Sequence, residues 1–175
     1  MKYCIDLSAH YQLGTVTFHP GRLSCLEESE EEKWQQLLAV VEEIAAYAKE
    51  KKVRVAIENM ELRNYELVYT VEDLNKFAYI GESNPYFGVT LDFAHFASHG
   101  IIKPDLETLK LPLFNVHLSQ LTKKKMHAPL TAKDGKVDVP TVCALLNSYG
   151  YDGRIILEIS EDYRESFTLL ENTVF

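Results

Sequence analysis

The sequence is short of cysteine, proline, glycine and basic residues, and it has no long hydrophobic run. Three cysteines, Cys4, Cys25 and Cys143, are scattered over 175 residues. So few, so far apart, they exclude a disulfide framework or a Cys-rich zinc site and suit a reducing cytosol. Six Pro and eight Gly are too few for a fibrous or linker-like chain. No apolar stretch approaches the ~18–20 residues that cross a bilayer. The segment Met1-Lys2-Tyr3-Cys4-Ile5-Asp6 lacks the apolar run of a secretory signal, so a cytoplasmic location without membrane attachment is expected. The 18 Lys and Arg are outnumbered by 26 Asp and Glu, giving a net charge of −8, which disfavours a nucleic-acid partner. The one basic run, Lys123-Lys124-Lys125, reads as a solvated loop, with phosphate gripping as the alternative.

Against these absences stand 46% hydrophobic residues, ten Tyr and eight Phe, enough for one globular domain with one core. The pattern predicts a helix over 2–13 with Cys4, Leu7 and Tyr11 on one face, stopped by Gly14. A strand over 15–19 ends at Pro20-Gly21. The best helix covers about 28–51, where Trp34, Leu37, Leu38, Val41, Ile44, Ala45 and Ala48 keep helical spacing. Acidic residues 27–32 crowd its start and Lys49, Lys51 and Lys52 its end, as the helix dipole favours. Further strands are expected at 53–58, 87–92, 113–118 and 154–159. Helices are expected at 71–80 (capped by Thr70, closed by Gly81), 105–110, 139–149 (opened by Asp138 and Pro140) and 161–173. A polar loop of about 18 residues after the fourth strand is long enough to suspect function. Alternating strands and helices imply α/β architecture with a parallel sheet and right-handed crossovers. No repeat and no linker divides the chain, so residues 1–175 read as a single domain.

Each of the five strands carries a titratable residue at or near its C-terminal end: His19, Glu58, Asp92, His117 and Glu158. The carboxyl ends of parallel strands converge on one face, where α/β proteins build their sites. Singly, each has a plainer use. Asp92 or Glu158 could cap the next helix, His117 could be a satisfied core histidine, and His19 could be a turn residue. Together they suggest a divalent-metal site of Glu58, Asp92, His117 and Glu158, because a carboxylate ending a buried strand is costly unless paired or ligated. Such a hard, oxygen-rich set suits one Mn²⁺, Mg²⁺, Zn²⁺ or Co²⁺. His95, three residues after Asp92, could orient that shell or ligate a second metal, whereas His99 reads as a surface residue.

The ordered segments Phe18-His19-Pro20-Gly21, Ile57-Glu58-Asn59, Leu91-Asp92-Phe93-Ala94-His95, Val116-His117-Leu118, His127-Ala128-Pro129-Leu130, Gly135-Lys136-Val137-Asp138, Gly150-Tyr151-Asp152-Gly153 and Leu157-Glu158 carry a resemblance. Along nearly its whole length, the chain resembles the xylose isomerase-like TIM-barrel superfamily. That group holds sugar and sugar-phosphate isomerases and epimerases, and also endonuclease IV. The resemblance implies a partial (β/α) barrel of about five parallel strands, lacking the first three strands of the family. It implies proton transfer through an enediolate, with Glu58 and Glu158 as acid/base groups and Asp92 and His117 holding the metal. It places His19, His95 and His127 as supporting residues or ligands of a second metal; separately, Lys123 or His127 is expected to contact a substrate oxygen or phosphate. The alternatives are a zinc-dependent abasic-site endonuclease, or a non-catalytic metal-binding remnant. Lys125 stands where the endonuclease branch carries an Asp ligand. A barrel section with two open edges and uncovered apolar interior is further expected to form a homo-oligomer.

Overall fold

A computed structural model describes residues 1–23, 29–63 and 66–174; Cys25, Glu27 and Glu28, used in the reading above, lie outside them. Five strands form one parallel sheet in the order β1-β2-β3-β4-β5: Val16–Phe18, Val55–Glu58, Phe87–Asp92, Leu113–Leu118 and Arg154–Leu157. Helices lie between them, and the sheet curls into half of a barrel. The α/β half-barrel expected from the sequence is therefore the observed architecture. Among the described residues, no helix is long and apolar enough to cross a membrane.

The central strands are sealed. All four residues of β2 and all six of β3 are buried. Their outer face meets α2 (Glu30–Lys51), which buries Trp34, Leu37, Val41, Ile44, Ala45 and Ala48. Ser29 starts that helix by accepting the Glu32 N–H, and Glu30, Glu31 and Glu32 occupy its positive end. Lys52 ends it in a left-handed conformation. The helix Val139–Tyr149 is likewise opened by Asp138, with Pro140 in its first turn, and closed by Gly150 at φ 77°.

Several boundaries differ from expectation for identifiable reasons. The helix before β1 spans only Lys2–Tyr11. Gln12 caps it with φ 56°, donating its N–H to Ser8, and Gly14 lies beyond. It buries Ile5 and Ser8; Cys4 and Tyr11 point to solvent. The segment expected as one helix over 71–80 is two, Val71–Asn75 and Ala78–Ser83. The chain breaks at Lys76-Phe77 because Phe77 is fully buried between Trp34 and Phe87. Gly81 does not stop the second piece but sits inside it: a Cβ there would come within 2.4 Å of Leu111 Cδ2, so the glycine permits close packing. Residues 105–110 give one 3-10 turn, Leu106–Thr108, capped by Asp105. A helix not expected, Phe93–Ser98, starts directly at the end of β3 with Asp92 as its cap. The final helix begins at Tyr163 rather than 161.

The concave face carries a polar layer as well as the exposed Ile156, where bare apolar surface was expected. Thr17 of β1 hydrogen-bonds Thr90 of β3 at 2.8 Å, and Asn115 of β4 donates to Thr17 at 3.3 Å. These contacts reach across the curl, past intervening strands. Exposed apolar residues instead gather at the two sheet edges and their helices: Met1, Leu13 and Val40 beside β1, and Ile156, Tyr163 and Phe167 beside β5.

Candidate metal centre

Side chains alternate along a strand, so residues two apart share a face. On the concave face Thr17 is followed by His19, Ala56 by Glu58, Thr90 by Asp92, Asn115 by His117 and Ile156 by Glu158. The curl then draws these five residues together at the C-terminal ends of the strands. Ligand-type atoms of Glu58, Asp92, His117 and Glu158 all lie within 4.8 Å of one another. Glu58 and Asp92 are buried, His117 and Glu158 half-buried.

Asp92 does two things at once. Its Oδ1 accepts the His95 N–H at 2.8 Å and caps the following helix, while its Oδ2 is buried without a hydrogen-bond partner. Glu158 Oε2 is likewise buried and unpartnered. His117 Nδ1 carries one proton at most. It lies 2.9 Å from Glu58 Oε1 in good hydrogen-bond geometry and 3.0 Å from Glu158 Oε2, off the bond axis. One N–H cannot serve both carboxylates, so the pocket has more acceptor oxygen than donor.

The electrostatics follow. Burial opposes charge on His117, but Glu158 and Glu58 on either side outweigh it and raise the imidazole to about 10. Burial also opposes ionisation of Glu58, yet hydrogen bonds from His117 and His19 hold that carboxyl down at about 2. Burial pushes the Asp92 carboxyl up; the His95 N–H resists, and the charges of Glu58 and Glu158 add to the push. Positive charge is therefore in demand, and the His117 proton supplies it. The two orphaned oxygens and the hard donor set fit a divalent cation in the same place.

A second group adjoins the first. Asp92, His95 and His127 also bring ligand-type atoms within 4.8 Å. His95 Nδ1 donates to the Asn59 carbonyl at 2.8 Å, and its Nε2 lies 4.0 Å from Asp92 Oδ2. His127, in a left-handed backbone conformation at φ 56°, holds Nδ1 3.1 Å from Ser119 Oγ and 3.9 Å from both Asp92 Oδ2 and Glu158 Oε2. His19 Nε2 lies 3.5 Å from Glu58 Oε2, with its side chain 63% exposed. His99 is half-buried against Tyr69 and the Met60 carbonyl rather than free at the surface.

The structure adds residues to which the sequence reading gave no role. Asn59 is fully buried. Its amide donates to the Asp92 carbonyl and accepts the Asp92 N–H, and its own carbonyl takes the His95 proton. It locks the ends of β2 and β3 in register beneath the site. Its place directly after Glu58 was a signal, because a short amide beside a strand-end carboxylate can bond only backbone or the site. Arg22, Glu61, Arg63 and Glu66 line a 360 Å³ hollow above the centre with His19, His95, His127 and Glu158. Lys123 is exposed, its N–H on Asp134, and lines neither this hollow nor the 570 Å³ one beside β1. Lys125 bonds Glu161 and Ser160.

Residues 1–173 match the family described as Xylose isomerase-like TIM barrel. The chain belongs to that family. Its fold is similar to that of a D-tagatose 3-epimerase-like protein, at TM-score 0.83 and 19% identity over 99% of this chain and 66% of the other. It is also similar to the 3-keto-D-glucoside 4-epimerase YcjR from E. coli, at TM-score 0.74 and 15% identity over 98% and 68%. A third likeness is to the IolI protein with a bound zinc atom, at TM-score 0.66 and 20% identity over 98% and 65%. The chain thus spans about two thirds of the length of these structures, and identities this low speak for the fold alone. No curated protein matches the sequence.

Proposed function

We propose that this chain binds one divalent metal ion through Glu58, Asp92, His117 and Glu158 and serves as a sugar isomerase or epimerase centre. The observation that carries the reading is the pair of buried, unpartnered oxygens, Asp92 Oδ2 and Glu158 Oε2, among four hard ligands on four strand ends. A cation held there would polarise a substrate carbonyl. Glu158 sits at the rim, 42% exposed, and lines both hollows; Glu58 lines the one beside β1. A sugar carbon seated between them would meet a carboxylate on each side, the arrangement that moves a proton off one face and onto the other. His95 and His127 wall the upper hollow as positioning groups.

We further propose a neutral sugar rather than a sugar phosphate. The cations at this mouth already face carboxylates: Arg63 pairs with Glu61 at 2.6 Å, Lys125 with Glu161 at 2.5 Å, and the charge of Arg22 acts on the Glu66 carboxyl. Relatives whose structures are similar include a D-psicose 3-epimerase solved with D-tagatose. One hydrophobic cluster runs from Ile5 to Leu170, which supports residues 1–175 acting as one domain. The open edges of β1 and β5, with their exposed apolar neighbours, support pairing with a second copy of the chain.

A single pair of measurements tests the reading. Equilibrium dialysis with Mn²⁺ should return one ion per chain, and incubation with D-tagatose in D₂O should place deuterium beside the carbonyl, seen by proton NMR. Metal without exchange would favour the binding remnant, for which the exposed flank at His19 argues. Three ions per chain would favour the endonuclease reading, for which the Asp92–His95–His127 group argues. Failure of the parent chain to bind Mn²⁺ sinks the assignment.

A further inference from the structure

A hollow roomier than the two at the candidate metal centre lies elsewhere among the described residues. It lies at the opposite end of the curled sheet, where the strands begin, with a volume of 880 Å³. Its charged lining is Lys51, Lys52, Arg54 and Arg154 against Asp152 alone, in a chain whose net charge is −8. The lysines have a local use, since they sit at the carbonyl end of the helix Glu30–Lys51, where cations offset the dipole. The two arginines do not. Arg54 directly precedes β2 and Arg154 opens β5, and among the described residues neither forms an ion pair.

Both guanidinium groups nevertheless border the hollow. Arg54 lies over the Phe114 ring, 5.0 Å from its centroid. Arg154 reaches across the mouth of the curl to the chain before β1. Its Nη1 would stand 3.6 Å from a Cβ on Gly14, whose φ of 94° is itself a conformation that side chains resist. Stacking on Phe114 orients the Arg54 fork, and both arginines border this roomy space with no side-chain hydrogen bond among the described residues. A positioned guanidinium with free donors is the side chain best suited to a tetrahedral oxyanion, because it offers two parallel hydrogen bonds.

We infer that this hollow binds a phosphate group, gripped by Arg54 and Arg154, at a site separate from the metal centre. The polar layer of Thr17, Thr90 and Asn115 lies between the two, and Asn115 lines the phosphate hollow itself. The site is independent of the reaction proposed above, so either can fail alone. Both inorganic phosphate and a phosphate monoester present the required oxygens. The volume admits the ester, and the two are distinguished by titrating each.

The test is calorimetric titration of the whole chain, at low ionic strength, with inorganic phosphate and with glycerol 3-phosphate. Binding should weaken about tenfold or more in Arg54→Gln and in Arg154→Gln, a loss of about 1.4 kcal/mol each. Asp152→Asn should tighten it by removing the lone carboxylate. The double variant Arg22→Gln/Arg63→Gln, at the other end of the barrel, should leave it unchanged. Far-UV circular dichroism and thermal melts confirm that each variant is folded. Tighter binding of the ester identifies a phosphorylated metabolite class as the ligand, and equal binding identifies free phosphate. No binding by the parent, binding indifferent to Arg54 and Arg154, or loss in the Arg22/Arg63 variant overturns the inference.

Discussion

The centre and the edges of the sheet are built differently, although they supply one site between them. Strand β3 buries every residue and presents Asp92 at no exposure; strand β5 alternates exposed and half-covered residues and presents Glu158 at the rim. The central ligands are fixed from several directions. Asn59 ties Asp92 to β2, the Asp92 cap ties it to the next helix, and Glu58 takes a hydrogen bond from His117. Towards the edges, among the described residues, His19 has one ion-pair partner, Glu58, and Glu158 keeps one oxygen without a hydrogen-bond partner. The difference shows how a partial barrel can still fix buried carboxylates at its strand ends. The strands that must be rigid are those with a neighbour on each side, and the edge strands need only bring a carboxylate within reach.

The comparison breaks most visibly if edge and centre turn out equally costly to damage. Phe87 is fully buried against Phe77, so Phe87→Ala should lower unfolding stability by about 3–5 kcal/mol. Ile156 on β5 is 40% exposed, and Ile156→Ala should cost less than about 1 kcal/mol. Urea melts at two protein concentrations would measure both. A large, concentration-dependent cost at Ile156 would mean that a second copy covers β5 and that the edge is in practice an interior.

Metal affinity sharpens the same contrast on a smaller scale. Asp92→Asn removes a fully buried ligand and should weaken Mn²⁺ binding by about 100-fold, whereas His19→Ala should change it less than about threefold. Equal losses would place His19 in the ligand shell and make the edge as much a part of the centre as β3.

Much of this division was legible beforehand. The residues ending all five strands could be picked out because each closes an apolar run and the carboxyl ends of parallel strands converge on one face, and the helix Glu30–Lys51 because its stripe and terminal charges agree. What the sequence could not reveal was anything set by non-local packing. Phe77 breaks a helix only because Trp34 and Phe87 wait for it, and Gly81 is a contact point only because Leu111 arrives there. The polar concave layer was missed for a related reason: Thr17, Thr90 and Asn115 lie far apart in sequence and have a shared purpose only once the sheet curls. Arg22 and Glu66 were equally hidden, since their antiparallel bridge joins two separate loops.

The smallest expected effect is in pH. In the metal-free chain His117 is raised to about 10 from an ordinary 6.5, so its contribution to stability is complete below pH 6.5 and is lost as pH climbs through about 10. Glu58 is held at about 2 from an ordinary 4.5, so its contribution is present above pH 4.5 and is lost as pH falls through about 2. Without metal, the melting temperature should therefore drift down by a few degrees on both sides of a plateau between pH 4.5 and 6.5. Metal should abolish the alkaline decline, because ligation requires the deprotonated imidazole and the cation replaces the proton that His117 would lose. Binding at pH 7 should accordingly release protons, which calorimetry in two buffers of different ionisation enthalpy would count. Glu58→Gln should flatten the acid limb more than Glu158→Gln, because Glu58 is buried at the centre and Glu158 is half open to solvent at the edge. If the two substitutions act alike, the solvent difference between centre and edge has no energetic consequence. The preorganisation argued for β2 and β3 would then have to extend across the whole sheet.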